Sequence, residues 1–244
     1  GTATLRIHVV GYDDRPPTAA EMDSMKLLVR QAMEEGAIGV SSALEYIPAS
    51  FASTEELIEL CRVAAEYDGI YISHIRNEDE TFLEAIDDFL KIPASTGIRS
   101  EIYHLKQVGR TNWHKLDGAI AKIDSARAAG RQITADMYNY PASSTGLGIL
   151  MPEWVQEGGF EKWVARLKDP AVRKVVGPEI IKTIMRKQGT PEKVLLIGFH
   201  TDSLKYLQGK TLAEIAAMRG KSAEETVMDL VIDDNSNVSA VFFS

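Results

Sequence analysis

The chain has 244 residues, of which 27 are Lys or Arg and 35 Asp or Glu, giving a formal charge of −8 with 45% hydrophobic residues. That length and apolar content suit one large or two smaller α/β domains, and the acidic balance without a Lys/Arg run argues against nucleic-acid and anionic-membrane partners. No stretch approaches the roughly 20 apolar residues of a membrane helix, and the lone Cys61 excludes an intrachain disulfide, so a small-molecule partner is expected.

The N-terminal segment lacks the charged and apolar regions of a signal peptide, which predicts a cytoplasmic location. Residues 5–10 (Leu5-Arg6-Ile7-His8-Val9-Val10) read as a strand, and residues 238–243 as another, so the chain is expected to begin and end mid-fold. Thr18-Ala19-Ala20-Glu21 is a capping box opening a helix whose apolar series is Met22, Met25, Leu28, Val29, Ala32 and Met33, closed at Gly36. Residues 37–42 read as a short buried strand and are followed by a loop with Pro48. Ser53-Thr54-Glu55-Glu56 repeats the capping signature before a helix with Leu57, Leu60, Cys61 and Ala64 on one face.

A strand over 70–73 then ends in His74, and a helix is predicted from about Glu78 through Leu90, with Phe82, Leu83, Ile86 and Leu90 as its stripe. The strand 100–103 ends in His104, the helix 116–129 presents Leu116, Ile120, Ile123 and Ala126, and the strand 132–135 ends in Asp136. Helices between short strands joined by short loops are the pattern of parallel βαβ units, four or five of them before Pro141. Beyond Pro141 the rhythm breaks. Residues 143–146 read as a loop and 151–190 as helical, while 194–197 read as a strand, 211–218 as a helix closed by Gly220, and 222–231 as another helix.

His74 and His104 stand 30 residues apart, about one βαβ repeat, at equivalent strand ends. In α/β barrels the reactive groups gather at those ends, so two imidazoles there suit a shared metal or acid–base role, although a catalytic zinc usually has three protein ligands. His8, His114 and His200 have no such partner; should the metal lie elsewhere, His200 with Asp202 is the place to look.

The segments Ser73-His74-Ile75-Arg76-Asn77-Glu78, Ile102-Tyr103-His104-Leu105-Lys106 and Thr134-Ala135-Asp136-Met137-Tyr138-Asn139-Tyr140-Pro141 together resemble the D-aminoacylase (N-acyl-D-amino-acid deacylase) family of amidohydrolases. Gly36-Ala37-Ile38-Gly39-Val40-Ser41-Ser42, Ala52 to Leu57 and Gly209 to Ala216 fit it as well, and the order and spacing of these pieces make the likeness specific. The resemblance implies a (β/α)8 TIM barrel, here incomplete in its first strands and its last, with a helical insertion. Residues 1–140 would supply central βα units, 141–205 the helical insertion or lid, and 206–244 a truncated return to the barrel.

It further implies hydrolysis of the amide of N-acyl-D-amino acids with one or two zinc ions. His74 matches the tight zinc ligand and His104 the histidine of a weaker metal position, Lys106 a holder of the substrate carboxylate, and Tyr138 and Ser144 substrate contacts. Tyr140 and Arg76 are expected to brace loops. The family's His-x-His, bridging cysteine and catalytic aspartate have no counterpart in this chain: Cys61 falls in an amphipathic helix, Asp136 is a carboxylate at a strand end that could support a metal ligand, and Glu45 is either a metal-bridging carboxylate or a surface one. A cyclic-amide hydrolase of the dihydroorotase or hydantoinase kind and a non-catalytic barrel remnant are the alternatives.

Overall fold

The computed structural model describes residues 1–243 and divides into two compact units, Gly1–Tyr138 and Asn139 onward. The first unit opens not with the expected strand but with helix α1 (Thr2–Val9). Its buried positions are Thr2 and Arg6, with Val10 buried just past its end, a spacing of four in which two of the three residues are polar, so the apolar residues between them suggest the wrong period. Arg6 Nη1 donates to Glu56 Oε2 at 2.5 Å with both side chains buried, and Nη2 donates to the Arg15 carbonyl at 2.7 Å.

Helix α2 (Ala19–Glu34) has the full capping box, Thr18 accepting from the Glu21 amide while Glu21 accepts from that of Thr18, and it buries Met25, Val29 and Met33. Strand β1 (Gly39–Ala43) begins where a side chain cannot fit: a Cβ on Gly39 would stand 1.9 Å from the Ile70 carbonyl oxygen. Helix α3 (Thr54–Ala65) is capped by Ser53 alone, because Glu56 has turned to Arg6, and it buries Leu57, Leu60, Cys61 and Ala64. Strand β2 (Ile70–His74) follows.

Helix α4 (Phe82–Thr96) starts four residues later than its periodicity suggests. Asn77 Oδ1 accepts from the amides of Asp79 at 2.9 Å and Thr81 at 3.0 Å, a local turn that competes with the helix and leaves Glu78 in a loop. Strand β3 (Arg99–Ile102), helix α5 (Leu116–Ala128) and strand β4 (Ile133–Ala135) complete the unit. Helix α5 buries Ala119 and Ile123 and leaves Leu116 and Ile120 exposed, so its inner face is narrower than the predicted stripe.

The four strands pair in parallel in the order β1-β2-β3-β4. Sequential order without reversal is the arrangement of a barrel rather than of a doubly wound sheet, which has a switch point. The α2, α3, α4 and α5 side chains cover the sheet, and Met25, Leu60, Tyr71, Phe82, Ile86 and Ile102 lie in one contiguous core.

The second unit has its own sheet. Residues 143–146, expected as a loop, belong to strand β5 (Ala142–Gly146), because pairing across to a distant strand overrides the turn-like composition Ser-Ser-Thr-Gly. Helices α6 (Glu153–Gln156), α7 (Phe160–Leu167) and α8 (Pro170–Lys187) match the helical stretch. Strands β6 (Val194–Gly198) and β7 (Lys210–Thr211), helices α9 (Leu212–Arg219) and α10 (Ala223–Asp233), and strand β8 (Ser239–Phe243) follow. The sheet is antiparallel in the order β5-β8-β6-β7. Arg173 ties α8 to α10 through Glu225 at 2.9 Å and Asp229 at 2.8 Å. Among the described residues no helix is long and apolar enough to cross a membrane.

Candidate metal centre

Parallel pairing sets Ser73 against Ile102, so His74 ends β2 and His104 emerges just past the end of β3. The backbone at His104 turns into the left-handed region, φ 40°. Two things hold that uncommon conformation: the His104 amide donates to the Asp136 carboxylate, and the Leu105 amide donates to the Asp136 carbonyl at 2.8 Å. Asp136 thus positions the histidine through its backbone. Beneath His74, Ser42 Oγ bonds Tyr71 OH at 2.7 Å and Ser73 Oγ at 2.8 Å, a buried hydroxyl cluster that pins β1 to β2.

The two imidazoles meet. His74 Nδ1 lies 2.9 Å from His104 Nε2, the rings 4.6 Å apart and inclined at 75°. His74 Nε2 is 3.1 Å from Glu45 Oε2, and His104 Nδ1 is 3.2 Å from Glu78 Oε1. Ligand atoms from His74, Glu78 and His104 fall within 4.8 Å of one another. Two nitrogens sharing one tetrahedral zinc stand about 3.3 Å apart, so the donor types and the spacing fit such an ion after an opening of a few tenths of an ångström. A cavity of about 400 Å³ adjoins the pair, lined by Ser41, Ser42, Tyr46, Ile72 and Tyr103 among others.

No family model matches the chain. It is 39% identical over 153 residues to the N-acyl-D-glutamate deacylase of Alcaligenes xylosoxydans xylosoxydans, a match covering 63% of this chain and 31% of that protein. With a TM-score of 0.77 and 29% identity, 100% of this chain aligns to 42% of the N-acyl-D-glutamate deacylase from Bordetella bronchiseptica, solved with zinc and a phosphonate mimic of the tetrahedral intermediate. The chain is thus similar in sequence and in fold to the D-aminoacylase family of amidohydrolases. A D-aminoacylase with a binuclear metal centre also aligns over 100% of this chain and 42% of its own, with a TM-score of 0.74 and 28% identity. The chain spans about a third of the length of the curated relatives it matches.

Strands β1 to β4 therefore form part of a TIM barrel like that of these deacylase structures. Around the histidines, Lys106 Nζ donates to Glu78 Oε1 at 2.6 Å and sits 2.9 Å from His104 Nδ1. The Tyr138 ring lies 6.3 Å from that of His104, with the Lys106 ammonium 5.7 Å above it. Burial, and then the nearby negative charge of Glu78, push the Tyr138 phenol up to about 12, so it is a hydroxyl donor at neutral pH. Ser144 lies in the second unit on β5, where its Oγ donates to the Ala240 carbonyl at 3.2 Å. Arg76 donates to the carbonyls of Ser50 at 2.8 Å and Ala52 at 2.7 Å, bracing the loop after β1. Cys61 is packed in the α3 core, and burial raises its thiol well above the ordinary range.

Glu78 was not among the residues expected at the site. Its position four after His74 was visible, but the helical pattern from Glu78 onward hid the turn that Asn77 makes. The loop is fastened from outside as well: the Val108 amide donates to the Glu78 carbonyl at 2.7 Å, and Asn112 Nδ2 donates to Asp79 Oδ1 at 2.8 Å.

Proposed function

We propose that the chain carries the metal-binding and carboxylate-binding part of a zinc hydrolase that cleaves the amide of N-acyl-D-amino acids. The observation that carries this reading is the 2.9 Å approach of the buried His74 to His104 at neighbouring barrel strand ends. His74 and His104 would hold the metal, which when bound supplies Lewis acidity that polarises a carbonyl and makes water a nucleophile near neutral pH.

The other side chains act on the substrate. Lys106, held in place by Glu78, presents an ammonium to the carboxylate that every N-acyl amino acid carries, a charge-assisted contact that fixes the amide relative to the metal ligands. Tyr138 offers its protonated hydroxyl to an acyl or carboxylate oxygen. Asp136 is committed to the His104 backbone amide, so the proton-transferring aspartate of the family is assigned to no residue here. A cytoplasmic location agrees with the single cysteine being a free, buried thiol.

The test is a substrate panel: N-acetyl-D-glutamate, N-acetyl-D-methionine, their L-enantiomers and a hydantoin. Hydrolysis confined to the D-compounds is expected, and turnover of the hydantoin alone would contradict the reading. Lys106→Met should raise KM for N-acetyl-D-glutamate by about tenfold or more with a smaller change in kcat, since it removes a contact made in ground state and transition state alike.

A further inference from the structure

The cavity beside the histidine pair, about 400 Å³, has the size of a small-molecule pocket. Apart from His74 and His104 its walls are Ser41, Ser42, Ala43, Tyr46, Ile72 and Tyr103, and among the described residues no carboxylate, ammonium or guanidinium lines it. Ser42 Oγ is engaged with Tyr71 and Ser73, which turns its hydroxyl away from the lining. What remains is mostly carbon surface. Tyr46 stands edge-on to the His74 ring at 5.3 Å, and the Tyr103 ring is 4.4 Å from that of His104.

His104 is approached from opposite edges of its ring. Lys106 Nζ lies 2.9 Å from Nδ1, and His74 Nδ1 lies 2.9 Å from Nε2. The ammonium that takes the substrate's carboxylate therefore stands on one side of the histidine pair, with the Tyr138 ring beneath it, and neither residue lines the cavity. The cavity belongs to the side of β1 and β2. In an N-acyl amino acid the carboxylate and the amino-acid side chain share the α-carbon, while the acyl group lies across the amide bond from both. With the carboxylate on Lys106 and the amide carbonyl at the histidines, the acyl group is the part directed to the cavity.

We propose that this cavity is the acyl-group pocket, and that Ile72 with Tyr46 and Tyr103 selects uncharged, apolar acyl groups longer than acetyl. The proposal rests on the hydrolase reading given above and deepens it by naming the acyl class. An alkyl chain gains by leaving water against Ile72 and the tyrosine faces. A chain ending in a carboxylate would lose its hydration without meeting a cation, and would come near Glu45, whose Oε2 is 3.1 Å from His74 Nε2. Ile72 precedes His74 by two residues on β2, so it projects from the same face of the sheet one step deeper, and its size sets the depth of the pocket.

The test compares N-acetyl-, N-butyryl-, N-hexanoyl-, N-octanoyl- and N-succinyl-D-methionine by kcat/KM of the zinc-loaded chain and by titration calorimetry on the metal-free chain, for wild type, Ile72→Phe and Ile72→Ala. Wild type should gain about threefold per methylene from acetyl to hexanoyl in both measurements, and succinyl should fall about tenfold or more below butyryl. Ile72→Phe should abolish the gain beyond butyryl, and Ile72→Ala should extend it to octanoyl. Far-UV circular dichroism identifies a variant that fails to fold, in which case the other carries the comparison. The ratio between N-acetyl-D-alanine and N-acetyl-D-methionine, which differ only in side chain, should not follow these changes. A flat or falling wild-type series, succinyl handled as well as butyryl, or Ile72 variants that move the side-chain ratio instead of the chain-length dependence overturns the acyl pocket while the hydrolase reading stands. Absence of turnover for every compound contradicts the hydrolase reading, and the calorimetric series then decides the pocket by the same chain-length criterion.

Discussion

Arg6 and Glu56 are both withdrawn from water and face each other at 2.5 Å, with Arg6 also donating to a backbone carbonyl. Such a pair adds little over an apolar substitute, but breaking it from one side leaves a bare buried charge. Arg6→Met should therefore cost about 3–5 kcal/mol in urea unfolding, and Arg6→Met with Glu56→Leu should recover much of that. Burial outweighs Arg6 and raises the Glu56 carboxyl above its ordinary value. A raised folded pKa means the carboxyl's contribution is fully present below the unfolded value of about 4.3 and is lost as pH rises through the folded one. Wild type should thus lose stability relative to Glu56→Gln across that rise, and a difference that grows in the opposite direction would contradict the assignment. At this scale the placement of His74 and His104 at adjoining strand ends was legible, because the strand–helix rhythm sets both at equivalent positions. The Arg6–Glu56 pair was not, since a contact across 50 residues leaves no mark on local periodicity.

Helix ends were the most legible elements. Thr18 and Thr211 each form both bonds of a capping box, and Gly220 closes α9 in the left-handed region, as their sequence patterns indicate. Thr18→Ala and Thr211→Ala should each cost about 0.5–2 kcal/mol by chemical denaturation. Asn77 is the counterexample, where one side chain competing for backbone amides moved a helix start by four residues and brought Glu78 to the site. Asn77→Ala should weaken metal binding through Glu78 while changing stability by about 1 kcal/mol, because the lost bonds lie in a loop. Helix α1 and strand β5 were misread for a related reason. A polar Thr2/Arg6 face and a Ser-Ser-Thr-Gly strand are chosen by their tertiary partners, which local propensity does not see.

At the scale of the molecule, each unit has its own sheet and its own buried cluster. In the second, Leu147, Leu167, Ile180, Leu196, Val227 and Val231 are fully buried around an antiparallel sheet. Residues 139–244 expressed alone should accordingly unfold in one sharp urea transition, and a broad, sloping transition would contradict an independent core. The βα rhythm of the first unit was readable from alternating strands and helices. The sheet of the second was not, because β5 and β8 pair across nearly a hundred residues, as in Ser144 with Val241. The account as a whole stands on the first unit's histidine pair. Zinc content measured after exhaustive dialysis, for wild type beside His74→Ala and His104→Ala, tests it most directly: the account predicts zinc retained by wild type and lost from both variants. Equal zinc in all three proteins would contradict it.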